Sequence, residues 1–174
     1  MKIKGQTPLI IRINAKLGRI AAEVDTSREN LKELNRQNDD GRMTTVIARD
    51  MSLTLHNIYN GLEQIFEDIA RDVDGGTPGG LSSHSDLLDQ MGGETDLRPK
   101  IIPETIAEAV AALMKFRHVV RQGDGTLWRP DEIRMKYKTT MEVVIPTLLE
   151  SLQTLSDHLE QKPDQDLGSD CEPS

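Results

Sequence analysis

Residues 55–73 read LHNIYNGLEQIFEDIARDV. Leu55, Ile58, Tyr59, Leu62, Ile65, Phe66, Ile69 and Val73 recur at spacings of three and four, the interval at which side chains return to one face of an α-helix. A half-buried strand would instead bury every second residue. The pattern predicts a long helix over residues 43–74, closed by the glycine-rich stretch DGGTPGG at 74–80. No Gly-Lys-Ser/Thr follows that stretch and no strand precedes it, so it reads as a helix-ending loop and not as a phosphate cradle.

The same period extends in both directions. Upstream, Leu9, Ile13, Leu17, Ile20, Val24, Leu31 and Leu34 predict a helix over residues 8–37, followed by a turn at NDDG, residues 38–41. Downstream, DLLDQM (86–91) predicts a brief third helix, and MGGETDLRPKIIP a loop. Pro103 and Glu104 suit the opening turn of a fourth helix, whose buried stripe is Ile106, Val110 and Leu113. After GDGTLW, Pro130, Asp131 and Glu132 open a fifth in the same way. Met141, Val144, Ile145, Leu148, Leu152, Leu155 and Leu159 carry it to residue 160, with a kink or break at Pro146. With no strand pattern and no internal repeat, the fold class is all-α: an up-and-down antiparallel bundle of about five helices. Residues 1–160 form one domain, and the acidic tail 161–174 is too polar to pack.

Composition points the same way. Only 3% of the 174 residues are aromatic, so the core is built from Leu, Ile, Val, Met and Ala, which favours helices over a sandwich. A net charge of −8 argues against general nucleic-acid binding but leaves room for a small basic site. The lone cysteine, Cys171, rules out an internal disulfide and a thiolate metal cluster. No signal-peptide pattern and no membrane-length apolar run is present, which reads as a cytoplasmic, soluble protein without membrane contact.

The fourth helix carries the anomaly. One step beyond Leu113 its apolar stripe reaches Arg117, then Arg121, so two guanidiniums face the packed side. A buried arginine needs an acid, a subunit cleft or an anionic ligand. Residues 115–138 hold seven Lys and Arg against three Asp and Glu, a local excess of plus four in an acidic chain, as a phosphodiester site would require. The plainer alternative is that Arg117 and Arg121 pair with Glu63, Asp68 or Asp72 of the second helix. His56 reads as a structural histidine, and His84 and His158 as surface or loop residues. No histidines or carboxylates show metal-ligand spacing, so neither metal nor other cofactor is expected.

The stretches LHNIYNGLEQIFEDIARDVDG (55–75), SHSDLLDQM (83–91) and RPKIIPETIAEAVAALMKFRHVVRQGDGTLWRPDEI (98–133) resemble the HepT-like ribonuclease toxins of the HEPN superfamily, in order, over roughly residues 9–160. The resemblance implies a HEPN-like bundle, a homodimer and metal-independent RNA cleavage through the motif R-x4-H-x-Y. It also implies a minimal nucleotidyltransferase antitoxin, MNT-like, that transfers AMP to the motif tyrosine. The motif arginine falls on Arg117, the histidine on Gln122 and the tyrosine on Asp124, with Arg121 as a further phosphate contact.

An imidazole shuttles protons near neutral pH and an amide does not, so Gln122 predicts impaired or absent cleavage by the family route. His118, next to Arg117, is the substitute to weigh, although a displacement of one helical turn misplaces a catalytic nitrogen. The expectation is a homodimer in which the fourth helices meet, still able to bind RNA or the antitoxin. The competing reading is a non-enzymatic helical module that scaffolds a partner.

Overall fold

The stripe of residues 55–73 lies in the middle of the molecule. A computed structural model describes residues 1–36, 41–80, 82–122 and 129–161, with backbone alone for 31, 34, 35, 41–44, 118, 121 and 122. Helix α1 spans Pro8–Arg36, α2 Gly41–Asp72, α3 Ser83–Gly92, α4 Glu104–Gln122, α5 Pro130–Thr139 and α6 Ile145–Gln161. Helix α2 touches α1, α3, α4 and α5, so its apolar stripe is buried and even Glu63 and Asp68, off that stripe, are covered. Leu55, Ile58, Tyr59, Leu62, Ile65, Phe66 and Ile69 are all buried, each side chain contributing roughly 1.5–3 kcal/mol relative to exposure.

Helices α1 and α2 form the principal pair. Gly61 makes their approach possible: a Cβ there would stand 2.7 Å from Ile20 Cγ1. Across the same seam Arg12 pairs with Asp72 and Lys16 with Asp68. The N-terminal segment is sewn down at both sides. Ile3 and Asn14 exchange two hydrogen bonds, Lys4 N–H donates to Gln153 Oε1 at 2.8 Å, and Ser156 Oγ donates to Lys4 O at 2.7 Å.

Pro146 has no N–H, so Glu142 O loses its α-helical donor. Residues Thr140–Val144 widen into a π segment, with Ile145 N–H donating to Thr140 O. The break expected at Pro146 is therefore absorbed one turn earlier, and α5, the π segment and α6 run on as one rod, the fifth helix of the sequence reading. The glycine-rich stretch does end α2: Gly75 adopts a left-handed φ of 83°, and Gly76 N–H reaches back to Ala70 O.

The loop before α4 is held by one residue that periodicity does not mark. Arg98, 1% exposed, spends all five N–H donors. Nε and Nη2 bind the two oxygens of Asp74 at 2.7 and 2.8 Å, Nη2 also reaches Gln90 O at 2.7 Å, and Nη1 reaches Gly93 O at 2.9 Å and Pro99 O at 3.2 Å. The end of α2, the end of α3 and the loop to α4 are thereby tied at one point. Of the expected turns and tail, residues 38–40, 123–128 and 162–174 lie outside the described residues. No helix among the described residues is long and apolar enough to cross a membrane.

Candidate functional site

Arg117 reaches the inside of the bundle because α4 keeps its register: Ile106, Val110 and Leu113 are buried, and the next step of the same stripe is the arginine. Its side chain is 14% exposed, and Nη1 donates to Glu63 Oε2 at 2.6 Å. The guanidinium carbon lies 5.8 Å from the centre of the Tyr59 ring, one turn before Glu63 on α2. Asp68 and Asp72, the other acids expected as partners, are occupied elsewhere: Asp68 by Lys16 and Arg71, Asp72 by Arg12 and Arg71.

The other Glu63 oxygen meets a residue that the sequence reading assigned to the surface. His84, in the first turn of α3, places Nδ1 2.7 Å from Glu63 Oε1, a close approach that pairs charges only when the imidazole is protonated. The imidazole is 37% exposed while Glu63 is 8%. One carboxylate of α2 thus lies between Arg117 of α4 and His84 of α3. Tyr59 lies behind them, fully buried. Burial first, and the Glu63 carboxylate second, push its phenol above the usual range, while Arg117 pulls the other way without prevailing. Tyr59 is therefore a neutral wall of the site and not a base.

The remaining predicted residues divide cleanly. His118, Arg121 and Gln122 belong to α4 by backbone, their side chains lying outside the described residues, as does Asp124 altogether. His56 is half-buried on α2, two turns before Glu63. The basic excess of residues 115–138 is partly dispersed on the outside of α5, where Arg129, Arg134 and Lys138 face Glu132, Asp131 and Glu142 at 3.7–3.9 Å. Among the described residues no group of three or more His, Cys, Asp or Glu side chains is placed to hold a metal ion.

Grooves flank α4 on both sides. One, about 680 Å³, runs against α3 between Leu88, Ile102, Ala107, Ala111 and Met114. The other, about 300 Å³, runs against α5 between Ala109, Ala112, Leu113 and Met135.

The described residues form an all-α bundle consistent with a HEPN-like architecture, with an arginine at the inner face of its fourth helix answered by an acid on its second. A family model described as HepT-like protein matches residues 50–159, and the chain belongs to that family. The match takes in Glu63, His84 and Arg117 but starts at residue 50, so the expected resemblance over residues 9–49, most of it α1, falls outside it. No curated protein and no solved structure matches the chain.

Proposed function

We propose that this HepT-like protein is a cytoplasmic homologue of the ribonuclease toxins of toxin-antitoxin pairs, a homodimer that binds RNA phosphate at Arg117 but has lost the family route of cleavage. The observation that supports this reading is the setting of Arg117, the residue that the resemblance aligns with the motif arginine: it is held by Glu63 and Tyr59 and still partly open to solvent. A guanidinium held in this way supplies charge-assisted donors to a phosphodiester. At the motif's histidine position stands Gln122, which hydrogen-bonds without titrating. At its tyrosine position stands Asp124, which offers no phenol to a nucleotidyltransferase.

Homodimerisation through α4 is supported by the small residues Ala107, Ala109, Ala111 and Ala112, which let a second helix approach closely, and by the apolar grooves on either side. The partner remains a minimal nucleotidyltransferase, bound without AMP transfer to residue 124. The same grooves would serve a non-enzymatic scaffold, and RNA binding separates the two readings.

The test is fluorescence anisotropy with a short, fully 2′-O-methylated RNA, read at rising salt for the native chain and Arg117→Met. Native binding that weakens with salt, and at least roughly tenfold weaker binding by the variant, is expected for a phosphate contact at a partly buried arginine. An affinity that ignores Arg117, or no RNA binding at all, would leave the scaffold.

A further inference from the structure

The two grooves beside α4 differ in charge. Leu88, Ile102, Ala107, Val110, Ala111 and Met114 form the floor of the larger one, about 680 Å³, and its rim carries Asp89 of α3 and Glu104 and Glu108 of α4 against a single lysine, Lys115. The groove on the α5 side has Glu132 and Lys136 at its rim, one of each sign, and its continuation toward Phe116 and Val119 adds Lys115 to them. On the α3 side Glu104 is engaged by Lys100, but among the described residues neither the Asp89 nor the Glu108 carboxylate has an ion-pair partner. Both residues are exposed, one on each wall of the groove. Residues 104–115 of α4 extend the groove over about three helical turns, or roughly 17 Å. Ala107 and Ala111 on one wall and Gly92 and Gly93 on the other keep both walls low, so the backbone of an occupant can come close.

We propose that the groove between α3 and α4 is the docking site for a cationic amphipathic helix of a partner protein. The apolar side chains of that helix, recurring at helical spacing, seat on Leu88, Ala111 and Met114, and its flanking Lys or Arg side chains reach Asp89 and Glu108. Sign decides the occupant. A second copy docked here by two-fold symmetry would set one acidic rim against the other, which like-charge repulsion opposes. The proposal therefore confines the homodimer contact to the α5 side of α4. Nucleic acid and an anionic membrane surface are repelled by the same carboxylates. For a partner bearing Lys and Arg, the rim steers association and fixes register, while burial of the apolar floor supplies most of the affinity. The proposal goes beyond the phosphate reading and does not rest on it: Arg117 pairs with Glu63 of α2 and is not among the residues that line the groove.

The experiment uses the full chain and two fluorescein-labelled helical peptides of about 14 residues, long enough to span the groove. Both carry leucine at alternating spacings of three and four; one has lysine on the flanks of that stripe, the other glutamate at the same positions. Fluorescence anisotropy should show saturable binding of the lysine peptide, weakening with salt and at least about tenfold tighter than that of the glutamate peptide. Ala111→Trp, which fills the groove without changing its charge, should weaken the lysine peptide at least about tenfold. The double variant Asp89→Lys, Glu108→Lys should reverse the preference, a result that misfolding cannot produce because one peptide gains what the other loses. No binding of either peptide, equal affinity for both, an Ala111→Trp chain that binds as the native one does, or a double variant that still prefers lysine each overturns the proposal. Light scattering adds one more outcome: a native dimer that Ala111→Trp splits into monomers would assign the groove to a second copy and overturn it as well.

Discussion

Replacing Arg98 by methionine should be among the most damaging single changes outside the candidate site. Methionine fills much of the volume but offers none of the five donors that Arg98 spends. Gln90 O keeps the Gly93 N–H at 3.2 Å, and Asp74 Oδ2 keeps Gln90 Nε2 at 2.8 Å. Asp74 Oδ1, Gly93 O and Pro99 O lose the donors that Arg98 gave them. A buried carboxylate stripped of its cation dominates the sum, about 3–5 kcal/mol for breaking one partner of such a pair. At about 2–4 °C per kcal/mol for a chain of this size, that lowers Tm by roughly 6–20 °C. Urea and thermal unfolding followed by circular dichroism measure it. The double variant Arg98→Met, Asp74→Leu should recover part of the loss, since it removes the orphaned charge along with its partner. A loss under about 1 kcal/mol in Arg98→Met, or a double variant as unstable as the sum of the two singles, would refute the assignment of Arg98 and Asp74 as one buried unit.

Two further outcomes follow from the packing. Burial raises the Asp68 carboxyl, but hydrogen bonds from Lys16 and Arg71 outweigh it and hold the group below the ordinary carboxylate range. Its contribution is therefore present above the unfolded value near about 3.9 and is lost as pH falls through the lower folded value. Urea midpoints taken from pH 5 down to 2 should fall less steeply for Asp68→Asn than for the native chain; parallel curves would contradict the pairing. The buried hydroxyls of Ser27 and Tyr137 share a hydrogen bond of 2.8 Å between α1 and α5, and Ser27 also donates to Val24 O at 2.9 Å. Tyr137→Phe leaves Ser27 satisfied, so the expected cost is only about 0.5–1.5 kcal/mol by chemical denaturation, and a loss above about 3 would show that Tyr137 does more than the structure assigns to it.

Helix α1 was legible nearly to its ends, 8–37 expected against Pro8–Arg36, because amphipathic spacing records which face is buried. The same holds for α2, 43–74 against Gly41–Asp72. Helix α3 is longer than DLLDQM suggested. Its first turn consists of serines and His84, whose composition matches a loop and whose helical state depends on docking against α2. Arg117 was readable as a charge on an apolar stripe, and Glu63 as one of three acids able to answer it. Choosing among those acids needed α1, since Lys16 and Arg12 claim Asp68 and Asp72. His84 and Arg98 left no periodic trace. Their roles come from contacts across 21 and 24 residues of chain, made by loops whose course hydrophobic patterning does not encode.

The most direct measurement concerns the loss of cleavage proposed for Gln122 and Asp124. Purified native chain and the Gln122→His, Asp124→Tyr variant are given the same RNA, with a single unmodified ribose among 2′-O-methyl nucleotides, under identical conditions. If Arg117 still holds phosphate and only the motif's proton carrier is missing, the variant should cut about 10²- to 10⁴-fold faster than the native chain, the range a restored general acid or base supplies. Equal rates in two folded proteins that both bind the RNA would contradict the account.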